Sequence, residues 1–333
     1  MLRLPRFQYL APQSLAEALS FLKEHEGKVK VIAGGTDVLP SLKQRIFTPE
    51  YVLDLKRIGG LNKIEEGSDG EVRIGALTTL SAVAQSPVVK KHFPGLFEAA
   101  DSVAATQVKN MGTIGGNICL ETRCWYFNQS PFWRKSIERC RKLGGEVCHV
   151  VKGGGERCYA YFAADTVPPL IALGAEVNIK NNEGERKCAL QEIYTQEGKA
   201  PNTLKAGDLI TEIRISISKG RSGNSYKKFC LRAVIDFPLV GSAVKVTMDG
   251  NSCASAKVVL GGMGSGPIEV KGAEGIVKEK EINEALIEEV GELAKKAAKP
   301  VANTLTSPGY RREMAGVLTK RALIEAFNQA KAH

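Results

Sequence analysis

No apolar run in this sequence approaches the roughly 20 residues that a membrane-spanning helix needs, so a helical membrane protein is not expected. The opening, MLRLPRFQYLAP, places Pro5, Arg6 and Pro12 where a secretory leader requires an unbroken apolar stretch, so a cytoplasmic location is expected. Histidine is scarce. His25, His92, His149 and His333 fall in no recognisable catalytic motif, and no acid, base or nucleophile stands out. Also missing are the G-x-G-x-x-G of a Rossmann unit and the Walker loop, which removes the two commonest nucleotide-binding signatures. The balance of 46 Lys and Arg against 36 Asp and Glu is basic, yet no zinc-finger, helix-turn-helix or RNA-binding pattern accompanies it. Nucleic acid is therefore not the expected partner, and an acidic protein fits the charge as well.

What is present is an ordinary globular balance, 43% hydrophobic and 25% charged over 333 residues, enough for two or three packed units. Residues 14–25 open with Ser14 and Glu17 in capping-box spacing and repeat apolar side chains at helical intervals up to Gly27. Strands are expected at 29–33 and 51–55, with a short amphipathic piece between them. From Leu61 a second unit begins, with Ile64 and Val72 to Ile74 around a Ser68-Asp69-Gly70 turn. Helical sequence then runs over 79–103 with a break near Pro94, and an apolar helix is expected over 166–173. Strands follow at 176–180 and 209–217. Residues 219–225 are polar and glycine-bearing and read as a linker. Beyond them the pattern predicts a strand over 226–231, a helix over 237–246, strands up to Gly262 and alanine-rich terminal helices. Gly261 to Pro267 reads as a structural turn, because no helix follows for its amides to open.

Two glycine loops carry the functional argument. Val31-Ile32-Ala33-Gly34-Gly35-Thr36-Asp37-Val38 puts paired glycines where a strand ends, so backbone N–H groups can turn toward an anion. Gly112-Thr113-Ile114-Gly115-Gly116-Asn117 repeats that chemistry, and both loops could converge on one pyrophosphate. Together with Lys109-Asn110-Met111, these loops resemble the FAD-binding medium subunits of the xanthine oxidase, or molybdenum hydroxylase, family. The resemblance covers essentially the whole chain. It implies an α+β fold: a vanillyl-alcohol-oxidase (PCMH)-type FAD-binding domain over 1–218, with subdomains of about 1–58 and 59–218, and a C-terminal α+β domain over 225–333. It also carries over site residues: Val103, Asp165 for the flavin hydroxyls, Ile210 against the isoalloxazine, and Lys228 beside the ring, at the head of a run with Arg232 and Asp236.

Five of the eight cysteines fall between Cys119 and Cys158, in an insertion at 119–160 that separates Asn117 from Asp165. In a reducing compartment such a cluster reads as a metal site before it reads as disulfides. Cys124, Cys140, Cys148 and Cys158 match neither zinc-ribbon nor bacterial ferredoxin spacing, so spacing leaves zinc and a 4Fe-4S cluster both open. The stretches Gly115 to Cys124 and Gly145 to Val150 are similar to the FAD subunit of 4-hydroxybenzoyl-CoA reductase. That resemblance implies a 4Fe-4S cluster on those four cysteines. It also implies a molybdenum-cofactor (molybdopterin) large subunit, a small subunit with two 2Fe-2S clusters, and assembly as a dimer of heterotrimers. Electrons would run from ferredoxin inward. The alternatives are the flavin subunit of an aldehyde oxidoreductase or xanthine dehydrogenase, with reversed flow, and a zinc-stabilised subunit without redox function. Cys119 could face the cofactor, and His149 could tune a metal. Cys188, Cys230 and Cys253 read as structural.

Overall fold

A computed structural model describes residues 3–332, which build three sheets. The first is wholly parallel, in the order β1 (Gln8–Leu10), β3 (Tyr51–Asp54), β2 (Val29–Ile32), with crossovers through α1 (Leu15–Glu24) and α2 (Val38–Lys43). The cap forms as expected, but the return bond falls one residue early. Ser14 accepts from the Glu17 N–H, while the Glu17 carboxylate reaches back to the N–H of Gln13 at 2.7 Å. Ala18 and Leu22 of α1 pack with Leu53 in a small core beneath this sheet.

The second sheet is antiparallel. It comprises β4 (Ile64–Glu66), β5 (Glu71–Gly75), β8 (Leu209–Ser216), β6 (Glu176–Asn181) and β7 (Gly184–Ala189), in that order. Its apolar face meets short helices: α3 (Leu80–Gln85), α4 (Pro87–His92), α5 (Pro94–Asp101), α7 (Ile114–Ile118) and α9 (Val167–Ala172), while α6 (Thr106–Met111) packs outside them against α3. Within the insertion lies α8 (Pro131–Lys135). The helical run expected over 79–103 is broken twice, at Ser86 and Phe93. Each break precedes a proline that opens the next helix, and the Ser86 hydroxyl caps α4.

The third sheet orders β12 (Ile268–Glu269), β11 (Ser252–Gly261), β10 (Val240–Asp249) and β9 (Ser222–Phe229). Past it come α10 (Ala273–Val277), α11 (Glu284–Ala297) and α12 (Pro308–Ala332), which cover one face with a second large core. Two expectations fail here. The segment 237–246 is not a helix: Val240 opens β10, and Val244 and Val246 are buried within it, paired on both sides, where β-branched side chains fit a pleated surface. The linker expected over 219–225 is cut to 219–221, because β9 begins at Ser222. A Cβ on Gly223 would stand 1.9 Å from the Ala326 carbonyl oxygen of α12, and the Asn224 carboxamide accepts from the Gly95 N–H at 2.9 Å. Glycine is there for close packing, and the polar side chain for a buried bond. No helix among the described residues is long and apolar enough to cross a membrane.

Candidate functional site

The two glycine loops meet. A Cβ on Gly34 would lie 2.1 Å from the Met111 carbonyl oxygen and 2.7 Å from the Gly112 Cα, so only glycine permits this contact. Gly35 takes a left-handed φ of 75° to turn the chain from β2 into α2. The N–H groups of Gly34, Gly35, Thr36 and Asp37 donate to no backbone carbonyl among the described residues. Four successive unpaired donors at one turn form a site for a negative group. In the second loop the donors are mostly used: Gly112 to Val108, Ile114 to Thr78, Gly115 to Ala76, and Gly116 to the Thr113 hydroxyl. Asn117 looks the other way, its Oδ1 accepting from the N–H and hydroxyl of Thr166 at 3.2 and 2.7 Å.

Thr166 adjoins the second element of the site. Asp165 is 3% exposed and lies between two donors, the Tyr226 hydroxyl at 2.9 Å and the Lys228 ammonium at 3.2 Å. Burial pushes its pKa up to about 6, with Lys228 and the Tyr226 bond pulling the other way. Lys228 also donates to the carbonyls of Ser102 and Asp236, at 2.9 and 3.2 Å. Val103 is buried beside that Ser102 carbonyl. The Lys228, Arg232 and Asp236 run closes on itself, since the Asp236 carboxylate accepts from the Arg232 N–H at 3.1 Å. Ile210, on β8, is buried in the main core. Room for the Tyr226 ring comes from Gly241 on β10, whose Cβ would lie 2.5 Å from the Tyr226 hydroxyl.

The cysteine insertion enters and leaves through one neck, where Arg123 and Tyr161 exchange two backbone hydrogen bonds of 2.8 and 2.9 Å. Cys124 follows one side of the neck and Cys158 precedes the other. Cys140 and Val147 bridge between them, which brings Cys140 near Cys148. Burial drives the Cys124 pKa up to about 11, with Cys158 and Cys140 adding to it; Cys158 is raised chiefly by burial and also feels Cys148. All four thiols thus lie within electrostatic reach of a neighbour. They do not close on a single ion, because among the described residues no three His, Cys, Asp or Glu side chains are grouped to hold one. The His149 ring pairs with the Glu138 carbonyl at 2.7 Å and stacks near Tyr126, so it packs the insertion. Cys119 is exposed beyond α7, Cys253 is buried, and Cys188 and Cys230 are partly buried.

Comparison with known proteins decides the family. Residues 5–216 match the family described as the FAD binding domain in molybdopterin dehydrogenase, and residues 224–326 match the CO dehydrogenase flavoprotein C-terminal domain. The chain belongs to the FAD-binding medium subunits of the xanthine oxidase and CO dehydrogenase family. Among relatives of these flavoproteins, the glyceraldehyde dehydrogenase medium chain of Sulfolobus acidocaldarius is 28% identical over 321 residues, 96% of this chain and 98% of that one. The carbon monoxide dehydrogenase medium chain of Afipia carboxidovorans is also 28% identical, over 98% of both chains. A solved carbon monoxide dehydrogenase from Hydrogenophaga pseudoflava superposes with a TM-score of 0.81 at 26% identity, covering 98% of this chain and 99% of that one. The α+β fold with a PCMH-type FAD-binding domain is therefore established, as is the role of oxidoreductase subunit.

Three residues of this flavoprotein escaped the sequence reading. Arg123 donates to Asp37 at 2.8 Å, Tyr226 holds Asp165, and the buried Lys142 bonds both Glu121 and Thr122 at 2.6 Å. Arg123 and Asp37 stand 86 positions apart, and no local pattern announces such a pair. Tyr226 was legible only as a strand residue.

Proposed function

We propose that this flavoprotein is an FAD- and 4Fe-4S-containing relay of a molybdenum enzyme of the 4-hydroxybenzoyl-CoA reductase kind. The observation that carries the flavin half is the Gly34 contact, which brings the second loop against a turn with four unpaired donors. In this reading Val31, Ile32, Ala33, Gly34, Gly35, Thr36, Asp37 and Val38 cradle the diphosphate with Gly112, Thr113, Ile114, Gly115, Gly116 and Asn117. Asp165 accepts from flavin hydroxyls, Val103 and Ile210 flank the ring, and Lys228 lies beside it. FAD, when bound, supplies both one- and two-electron chemistry. The chain's own part is to hold it, to keep Asp165 oriented between Tyr226 and Lys228, and to exclude water with the surrounding core.

Cys124, Cys140, Cys148 and Cys158 are the proposed cluster ligands. Their placement supports this: Cys124 and Cys158 flank the Arg123–Tyr161 neck, and the Cys140–Val147 bridge brings Cys140 near Cys148. Thiols that burial keeps protonated give up their protons to a bound metal. The proposed domains are 1–218 for the flavin and 225–333 for the C-terminal unit. The proposed partners are a molybdenum-cofactor large subunit, a small subunit with two 2Fe-2S clusters, and cytoplasmic ferredoxin, in a dimer of heterotrimers.

Iron, acid-labile sulfide and electron paramagnetic resonance on the native complex test the cluster. We expect about four irons on this chain in keeping with a cubane, lost in Cys140→Ser and Cys148→Ser while FAD stays bound. Zinc in its place, or unchanged iron in both variants, overturns the ligand set. Reduction by ferredoxin with release of benzoyl-CoA from 4-hydroxybenzoyl-CoA supports the substrate, whereas turnover of only aldehydes or purines replaces it.

A further inference from the structure

Asp37 stands at the N-cap of α2, where a carboxylate ordinarily accepts from the first free amides of the helix, yet its side chain makes no capping bond. It turns to Arg123, whose Nη1 donates to Asp37 Oδ1 at 2.8 Å, with both side chains about three-quarters buried (26% and 21% exposed). Arg123 has little freedom to leave. Its backbone is paired with Tyr161 on both sides, and its guanidinium lies 4.3 Å from the centre of the Phe237 ring.

Two other charges act on Asp37 in opposite directions, Glu121 raising its pKa and Lys30 lowering it, each less than Arg123, and neither bonds to it. Glu121 is paired with Lys142 at 2.6 Å, and the Lys30 ammonium sits 4.1 Å above the Phe47 ring. Burial holds the Asp37 carboxyl above its usual range, while Arg123 pulls it down. This carboxylate belongs to the last residue of the run whose N–H groups are left free for a negative group. A bare carboxylate there repels the same anion that the amides attract, and the repulsion grows where water is scarce.

We infer that Arg123, in the neck of the cysteine insertion, is a cofactor-positioning residue: it cancels the charge of Asp37 and so keeps the first glycine loop receptive to the FAD diphosphate. The inference rests on the flavin reading above. It gives the insertion a second duty, since the arginine that serves the flavin loop directly precedes Cys124. A plain structural staple between the same two segments makes a different prediction, because a staple has no sign.

The test is FAD affinity of the full-length chain, read by flavin fluorescence, with thermal melting and iron content measured on the same samples. Arg123→Gln should weaken FAD binding about tenfold, the scale of one lost charge contact. Asp37→Asn should tighten it. The double variant Asp37→Asn with Arg123→Gln should return close to the wild-type affinity, and Arg123→Lys should recover most of what glutamine loses. Wild-type affinity in Arg123→Gln, or a double variant no better than Arg123→Gln alone, overturns the inference. Should Arg123→Gln fail to fold, Asp37→Asn decides, because weaker FAD binding by that folded variant overturns it too. A wild-type chain that takes up no FAD refutes the flavin reading itself, and this inference with it.

Discussion

The two glycine loops are written in nearly the same letters and use their backbones in opposite ways. Between Gly34 and Asp37 four N–H groups are left without backbone partners, whereas between Gly112 and Asn117 most donors go to the chain's own carbonyls and to Thr113. In the function proposed above, the first loop is the receptor. The second is a wall: its Met111 and Gly112 backbone presses on Gly34, and its Asn117 fixes the turn that carries Asp165. Paired glycines therefore signal close approach by something, and only the hydrogen-bond accounting tells whether that something is a ligand or the protein itself.

The sharpest way to break this contrast is Gly34→Ala. Its new methyl would run into backbone rather than into a yielding side chain, so the loops must part. We expect the purified chain to lose nearly all its flavin and about 1–3 kcal/mol of stability, checked by absorbance at 450 nm in flavin's usual band and by urea unfolding. Gly35→Ala meets only the flexible ends of Ile32 and Leu39, so it should cost mainly its left-handed φ, about 1 kcal/mol.

Asp165 tests the wall at its far end. Burial holds its folded pKa at about 6, above the ordinary aspartate value of 3.8, so its contribution to stability is full below about pH 4 and is lost as pH rises through about 6. Unfolding curves of the flavin-free chain should show that decline, and Asp165→Asn should flatten it. An unchanged slope in the variant would assign the pH dependence to another group.

Two substitutions in the second loop, with little expected effect on flavin, sharpen the comparison further. Asn117→Ala leaves the buried Thr166 N–H and hydroxyl without their partner and should cost about 1–3 kcal/mol. Thr113→Val removes the cap on Gly116 and should cost about 1 kcal/mol. If the second loop were instead the principal receptor, Thr113→Val would lower flavin affinity more than it lowers stability. Paired titrations and melts on one preparation distinguish the two.

Local chemistry was readable from the sequence, and contacts between distant segments were not. Ser14 with Glu17, the strand ends at Ile32 and Asp54, and both glycine loops depend on neighbours within a few positions. The segment 219–225 misled because its glycine and polar residues answer to α12 and α5, each about 100 positions or more away in the chain. Val240, Val244 and Val246 offered a β-branched signal that the helical reading of 237–246 passed over. Asp165, Ile210 and Lys228 came from resemblance. The polar frame around Asp165, with Tyr226 and the Ser102 carbonyl, required the folded chain.

The neck formed by Arg123 and Tyr161 has a consequence for ancestry. A segment that departs and returns through one pair of facing residues adds no strand to any sheet and forces no rerouting of the chain around it. Such a segment can be gained or lost by a lineage in one event, as a graft on a branch, while the scaffold keeps folding. Replacing residues 124–160 with a short turn should therefore leave a chain that still folds and takes up flavin, as thermal melting and flavin fluorescence would show.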